Sequence, residues 1–528
     1  MTRTLRLVLF FLLASLPLAA SASNPLVIKT DRGKVRGTLT TDGQVRAFKG
    51  IPYAEPPIGD LRWQPPQPAE KWKGVLDATH FGHRCMQANI YKDMVFRDPG
   101  PSEACLNLNV WTPVNAKKSS LPVMVWIYGG GYLAGGTSEP RQDGQFLAHR
   151  NVVVVSMNYR LGIFGFFVSP ELTAESPHHA SGNYGLMDQN AAIEWVQKNI
   201  KNFGGDPHNI TIFGESAGSM SVSTLMASPL SRDRFQHAIG ESGGQFFAGQ
   251  FDAQPLEERE QQDTKFAQAA FGTTNLADLR KIPANQLLQE SMKEIPGIHA
   301  HFGPDVDGWF LPKSVPAIYA AGDQAHVPLL AGWNADEMRS AVIFANPQPT
   351  AESFKQKAEE DFGPDAAEFL KLYPANTDAE AVRSAGDLAS DRFIVYATWR
   401  WLEAQVATGD APVYRYRFDL GGPGDKYHPA EIGAFHSDDI EYVFGTLDSR
   451  PGAHWRPEDR KLSDEIQQYW TNFARTGNPN GGNLPTWPTY NARDNWMVMH
   501  LNPTSEAKPD TQRARYLFLD KQWGKPAE

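Results

Sequence analysis

The segment Ile212-Phe213-Gly214-Glu215-Ser216-Ala217-Gly218 constrains this chain more than any other. It follows the apolar β-pattern run Asn209–Phe213 and opens a small-residue helical stretch. A serine between two glycines at a strand-to-helix junction forms a tight turn. The glycines leave room for a strained backbone, and the turn holds the hydroxyl clear of the strand end. The helix that follows presents its N-terminus, which favours negative charge developing beside that hydroxyl.

Other runs read as strands of the same buried sheet: 121–128, 152–156, 327–331 and 413–418. The valines from Val152 to Val155 are continuous rather than alternating, as expected for a strand covered on both faces. Between the strands lie helical patterns. Over 186–203, Met187, Ala191 and Trp195 form one i, i+4 stripe, and Ala192, Val196 and Ile200 form its neighbour. A further helix is expected over 387–407. Strands alternating with helices imply an α/β fold with a mostly parallel central sheet covered by helices on both faces. The stretch 245–302 lacks a strand pattern and reads as a mostly helical insertion. No Gly/Ser tract, like-charge block or repeat marks a linker, so 23–528 is expected to be one catalytic domain with insertions, despite its length. A hydrophobic share of 41% supplies a large core for it.

The first 22 residues are set apart. Arg3 and Arg6 precede an apolar run, Leu7–Leu16, and small residues lead to Ala20-Ser21-Ala22. That pattern is a secretory signal peptide cleaved after Ala22, and its apolar run is shorter than the roughly 20 residues of a membrane span. A secreted or periplasmic location follows, with no stable membrane insertion. In that setting Cys85 and Cys105, the chain's two cysteines, read most simply as one disulfide. Closing such a loop removes unfolded-state entropy worth about 3 kcal/mol. The net charge of −10, with no concentrated basic face, argues against nucleic-acid binding. No metal and no cofactor are expected.

A serine hydroxyl reacts only when a base takes its proton and donors receive the resulting oxyanion. Tyr128-Gly129-Gly130-Gly131 ends the strand at 121–128. Only residues without side chains let N–H groups crowd a substrate oxygen, so Gly130, Gly131 and Ala217 are the expected oxyanion donors. Spacing does not choose the base among 14 histidines. Chain order removes those before Ser216, and several remain open.

Ordered motifs then bring a family into view. Phe48–Arg62, Glu103–Asn109, Trp126–Gly131, Asn158–Gly162, Gly182–Gln189, Phe203–Pro207 and the serine turn together resemble the type-B carboxylesterases, relatives of the cholinesterases. The resemblance covers nearly the whole mature chain. It implies the α/β-hydrolase fold and a Ser–Glu–His triad. Within it, Gly332–Glu337 looks like the acid segment, with Glu337 as carboxylate, and Gly433–Gly445 like the histidine loop, with His436 as base. Asp336 and His428 are the rivals for those two roles. The resemblance also matches Cys85–Cys105 to the family's first disulfide, Arg62 with Glu103 and Arg160 with Asp188 to structural ion pairs, and Glu215 and Ser242 to positions supporting the triad. Met338, Ser219 and Ala104 depart from the family pattern without touching a chemical role.

The function so implied is hydrolysis of small-molecule carboxylic esters through an acyl-enzyme. An amidase or peptidase using the same triad is the alternative. A non-catalytic cholinesterase-like binding protein is a third, argued against by the survival of Ser216, Glu337 and His436. Oligomeric state and the physiological ester are not written in the sequence. Its pockets are expected to come from 85–105, 245–302 and 340–380, with Phe246, Phe247, His301, Phe302 and Phe393 as candidate lining. The 85–105 loop has no tryptophan to face a quaternary ammonium, and its Lys92 and Arg97 would repel a cation if they faced the site; Tyr91 and Phe96 are weaker substitutes.

Overall fold

The computed structural model describes residues 26–117, 120–247, 252–298 and 300–524. The expected leader, 1–22, lies outside these residues. An 11-stranded sheet crosses the molecule. Its strands are β1 (Thr38–Leu39), β2 (Val45–Pro52), β3 (Asn107–Pro113), β4 (Leu121–Ile127), β5 (Val153–Met157), β6 (Gly205–Glu215), β7 (His237–Glu241), β8 (Leu329–Asn334), β9 (Val413–Phe418), β10 (Met497–Leu501) and β11 (Glu506–Pro509). Across the sheet they lie in the order β11-β10-β9-β8-β7-β6-β4-β5-β3-β2-β1. From β10 through β5 every neighbouring pair is parallel. The outer strands β1, β2, β3 and β11 run antiparallel to their neighbours.

The sequence runs became strands because both of their faces are covered. Val123, Met124, Val125, Trp126 and Ile127 of β4 are fully buried, as are Ile210, Ile212 and Phe213 of β6. Nine helices matter below: α1 (Gly162–Phe166), α2 (Tyr184–Asn199), α3 (Ala217–Ala227), α4 (Leu256–Phe271), α5 (Leu276–Lys281), α6 (Ala284–Ser291), α7 (Asp378–Ser390), α8 (Tyr396–Thr408) and α9 (Pro457–Thr476). Helices α2 and α3 pack on β6, and α9 packs on β4 and β6. In α2 the side chains of Met187, Ala192, Trp195 and Val196 are buried, as the double stripe requires.

Strand ends differ from the sequence reading by a few residues. The largest difference is β6, which begins at Gly205 rather than Asn209 because a register shift against β4 lets the chain pair earlier. The single helix expected over 387–407 is instead α7 and α8, joined by one π-turn, Asp391–Val395. The stretch 245–302 contains α4, α5 and α6, as its pattern suggested. The Cys85–Cys105 disulfide is formed.

Candidate active site

At the end of β6 the chain turns sharply. Ser216 takes φ 55° and ψ −122°, a conformation that L-residues adopt only under constraint. The constraint is visible. Ser216 N–H donates to the Glu241 carbonyl at 2.8 Å, and Met220 N–H to the Ser216 carbonyl at 2.9 Å. A Cβ on Gly214 would sit 2.6 Å from the Ile127 carbonyl oxygen, and one on Gly218 would collide with that same atom. Both glycines of the turn are therefore dictated by how closely α3 passes the end of β4.

The other two sequence candidates converge on this hydroxyl from the ends of β8 and β9. His436 Nε2 lies 2.9 Å from Ser216 Oγ, and His436 Nδ1 lies 2.6 Å from Glu337 Oε2. Glu337 is held from its other side. Its Oε1 accepts from Ser242 Oγ at 2.6 Å and from Asn334 N–H at 2.8 Å. A carboxylate with its lone pairs so occupied has one free direction, and it faces the imidazole. The rivals lie elsewhere. Asp336 turns to Arg339 at 3.1 Å, and His428 pairs with Asp425 at 3.3 Å while stacking on Phe435. Asp336 has a supporting part: it accepts from Ala434 N–H at 3.2 Å, two residues before His436.

The charges around the imidazole are mostly negative. Glu215 Oε1 lies 3.3 Å from the same Nε2 that faces Ser216. Burial acts to lower the His436 pKa, but Glu215 and Glu337 outweigh it and push the value up to about 9. Burial pushes Glu215 up to about 8, with His436 pulling the other way. Below them lies a carboxylate that sequence reasoning missed. Asp439 accepts from Asn334 Nδ2 at 3.1 Å and Tyr416 Oη at 3.0 Å, and burial together with Glu337 raises its pKa to about 6. Glu241 is a second, fully buried and receiving the Trp470 indole N–H at 2.7 Å. The one sequence signal was charge inside an apolar stretch: Asp438, Asp439 and Glu441 interrupt a run that is otherwise helix core. Asp438 and Glu441 turn to Arg450, each at 2.8 Å, and Asp439 turns inward.

The glycine loop closes the other side. A Cβ on Gly129 would come within 2.8 Å of Ser216 Cβ, so the loop lies directly against the hydroxyl-bearing residue. Among the described residues no protein acceptor engages the N–H groups of Gly130, Gly131 or Ala217. The disulfide loop roofs this region: Tyr91 Oη stands 3.6 Å from the direction a Gly131 side chain would take, and Met94 Cε 3.3 Å from that of Gly130. Arg97 does not face the site. It turns to the Ser138 carbonyl at 2.9 Å and to Asp143 at 3.0 Å, and Phe96 lies under Arg84. Of the aromatic candidates, Phe393 packs edge-on to the His436 ring at 4.9 Å, carried there by the π-turn. His301 and Phe302 line a cleft that also reaches Gly131. Phe246 packs on Tyr319 in the core, and Phe247 is buried. Among the described residues no group of three or more His, Cys, Asp or Glu side chains is arranged to hold a metal ion, and no helix is long and apolar enough to cross a membrane.

Known proteins resemble this chain over most of its length. The model of the Carboxylesterase family matches residues 24–519. Fumonisin B1 esterase of Sphingopyxis macrogoltabida is 37% identical over 92% of this chain and 88% of its own length. Para-nitrobenzyl esterase of Bacillus subtilis (strain 168) is 35% identical over 94% of this chain and 99% of its own. A solved PNB esterase structure superposes with a TM-score of 0.79 at 34% identity, covering 95% of this chain and 100% of that one. The fold is that of the α/β-hydrolases, and the chain belongs to the carboxylesterase family, as a carboxylic ester hydrolase.

Proposed function

We propose that this protein is an exported serine esterase, built as one catalytic domain over 23–528 after cleavage of a leader behind Ala22. Ser216 Oγ attacks the ester carbonyl while His436 Nε2 takes its proton. The tetrahedral oxyanion is received by the N–H groups of Gly130, Gly131 and Ala217. When the intermediate collapses, His436 returns the proton to the departing alcohol, leaving an acyl group on Ser216. Water then attacks the acyl-enzyme by the same route, with His436 as base, and releases the acid. Glu337 holds the imidazole tautomer and stabilises the imidazolium without taking its proton. Glu215 and Ser242 position the pair from either side, and no metal or cofactor takes part.

The observation carrying this reading is the chain of contacts from Ser216 through His436 to Glu337, at 2.9 and 2.6 Å, in a site where Ser242 and Asn334 satisfy the rest of the acid. Export is supported by the disulfide, which persists in oxidising compartments. The test is Ser216→Ala, expected to lower kcat by about 10⁴-fold or more with folding intact. An organophosphate should label the wild type once, on Ser216. Substantial activity in the variant, or labelling elsewhere, would refute the assignment.

A further inference from the structure

Tyr91 stands where the disulfide loop crosses the glycine loop. Leaving out Gly131's own chain neighbours, its phenol oxygen is the one atom of the described residues within 4 Å of where a Cβ on Gly131 would sit, at 3.6 Å. Among the described residues that hydroxyl has no hydrogen-bond partner. Polar side chains of the cleft beyond Gly131 are engaged: Ser291 Oγ donates to the Leu288 carbonyl at 2.8 Å, and the Lys293 ammonium to Glu290 at 2.6 Å. Other walls there are hydrocarbon, among them Leu133, Ile163, Phe164 and Phe302. A polar atom of a substrate that leaves water beside Gly131 needs a partner, and the phenol offers one.

The loop is fastened on both sides of the ring. Before it, Cys85 is bonded to Cys105. After it, Asp93 meets Arg141 at 3.6 Å, Asp98 meets Arg84 at 2.6 Å, and Arg97 Nε donates to the Ser138 carbonyl at 2.9 Å. Arg141 is itself held by Glu139 at 2.9 Å. A donor fixed before the substrate arrives gives up little freedom on binding. Burial, followed by the Glu215 and Asp93 carboxylates, raises the pKa of the phenol, so the hydroxyl keeps the proton it would share.

We infer that Tyr91 Oη donates to an acceptor oxygen on a limb of the ester, an alkoxy or second carbonyl oxygen close to the reacting carbonyl, and so makes this enzyme prefer esters that carry one over their hydrocarbon isosteres. The inference rests on the Ser216 reading. A tetrahedral oxyanion offers three lone pairs, which that reading gives to the N–H groups of Gly130, Gly131 and Ala217, and the phenol is left for a different oxygen.

Two isosteric pairs test it, each exchanging one methylene for oxygen. p-Nitrophenyl methoxyacetate against p-nitrophenyl butanoate varies the acid, and 2-methoxyethyl acetate against butyl acetate varies the alcohol. Tyr91→Phe keeps the ring and removes only the hydroxyl, and comparing it with the wild type cancels the intrinsic reactivity of each ester. It should lower the oxygen-to-methylene ratio of kcat/KM by about 3- to 10-fold in at least one pair, the scale of one neutral hydrogen bond, while the hydrocarbon ester of that pair keeps its rate. Tyr91→Ala should lower the same ratio at least as far. A ratio that falls in Tyr91→Ala but not in Tyr91→Phe would mean that the ring packs and the hydroxyl binds nothing, which overturns the inference. Stoichiometric organophosphate labelling of Ser216 in each variant reports separately on the nucleophile. Intact labelling with neither ratio moved also overturns the role of Tyr91, whereas labelling away from Ser216 overturns the reading beneath it.

Discussion

Arg160 and Arg62 each grip a carboxylate with two nitrogens, yet they serve different parts of the molecule. Arg160 reaches Asp188 of α2 at 2.7 and 2.8 Å, with side chains 3% and 0% exposed, and so fixes the loop after β5 beneath the site. Arg62 reaches Glu103 at 2.7 and 2.8 Å and spends its remaining nitrogen on the carbonyls of Leu279, Arg280 and Ile282. It thus ties the disulfide loop to the insertion. The first clamp locks the floor, where Ser216, Glu337 and His436 meet at the ends of β6 and β8 and in the loop after β9. The second locks the mouth, where Tyr91 and Leu288 still show apolar surface. Chemistry rests on the sheet, and selectivity on what is laid over it.

If that division is right, damage to the floor should strike the rate and damage to the mouth the choice of substrate. Glu337→Gln is expected to lower kcat by about 10²–10⁴-fold, the cost of losing the orienting carboxylate in such triads. Asp336→Asn should cost far less, since Asp336 touches Arg339 and Ala434 rather than the imidazole. Equal modest losses at both positions would break the assignment of Glu337.

The clamps themselves give the next comparison. Asp188→Ala strands a buried guanidinium and should cost about 3–5 kcal/mol of stability by urea denaturation. Glu103→Ala should cost less, about 1–3 kcal/mol, because Arg62 retains its three carbonyl acceptors. Its signature should be a changed chain-length preference at nearly constant kcat for acetate esters. A loss at Glu103 as large as that at Asp188 would mean that the mouth is part of the folding core.

Glu215 sharpens the electrostatic side of the floor. On the proposed mechanism the base must be neutral, so activity should rise as pH climbs through the pKa of His436, which Glu215 and Glu337 hold up to about 9 against burial. Glu215→Gln removes a negative charge 3.3 Å from Nε2. The imidazole then loses its proton more easily, and the rising limb of the kcat/KM profile should move to lower pH by about one unit. A limb that stays in place would show that Glu215 carries no charge while His436 titrates.

Much of the floor was legible in the sequence because its geometry is enforced over a few residues. The serine turn needs its glycines wherever a helix passes a strand end this closely, whereas Glu337 and His436 were legible only through the resemblance of Gly332–Glu337 and Gly433–Gly445 to the family's segments. What could not be read was whatever depends on contact between distant segments. Asn334 stands inside a recognised motif, but its double service to Glu337 and Asp439 arises only when β8 meets the loop after β9. Asp439 and Glu241 look like surface charges in a chain that is 21% charged, and only burial reveals them. The cleft was legible in part: 85–105 and 245–302 were expected to build a pocket, with His301 and Phe302 in its lining, but the walls that Leu133 and Leu161–Phe164 add come from separate stretches. Arg97 illustrates the converse: loop position suggested a guard at the mouth, and Asp143 draws it away.

That last displacement sets the smallest expected effect, the discrimination between cationic and neutral esters. With Arg97 paired to Asp143 and Phe96 lying under Arg84, one of the two cations and one of the aromatic partners suggested by the loop sequence are turned away, while Lys92 stays exposed on the loop. Tyr91 remains beside Gly131, but it is 40% exposed. A cation–π contact at such a site is worth about 0.5–1 kcal/mol, a few-fold in kcat/KM, and a quaternary ammonium entering an apolar cleft gives up hydration in return. The neutral isostere 3,3-dimethylbutyl acetate should therefore be preferred over acetylcholine by only a few-fold. Attraction from the net charge of −10 acts from outside and is screened over about 8–10 Å at ordinary salt, so the preference should widen as salt is added. Tyr91→Ala should widen it further, since it removes a ring that stands beside Gly131. A preference for acetylcholine that persists at high salt would mean that the mouth forms an aromatic cage, and that selectivity here rests on charge rather than on the apolar cleft.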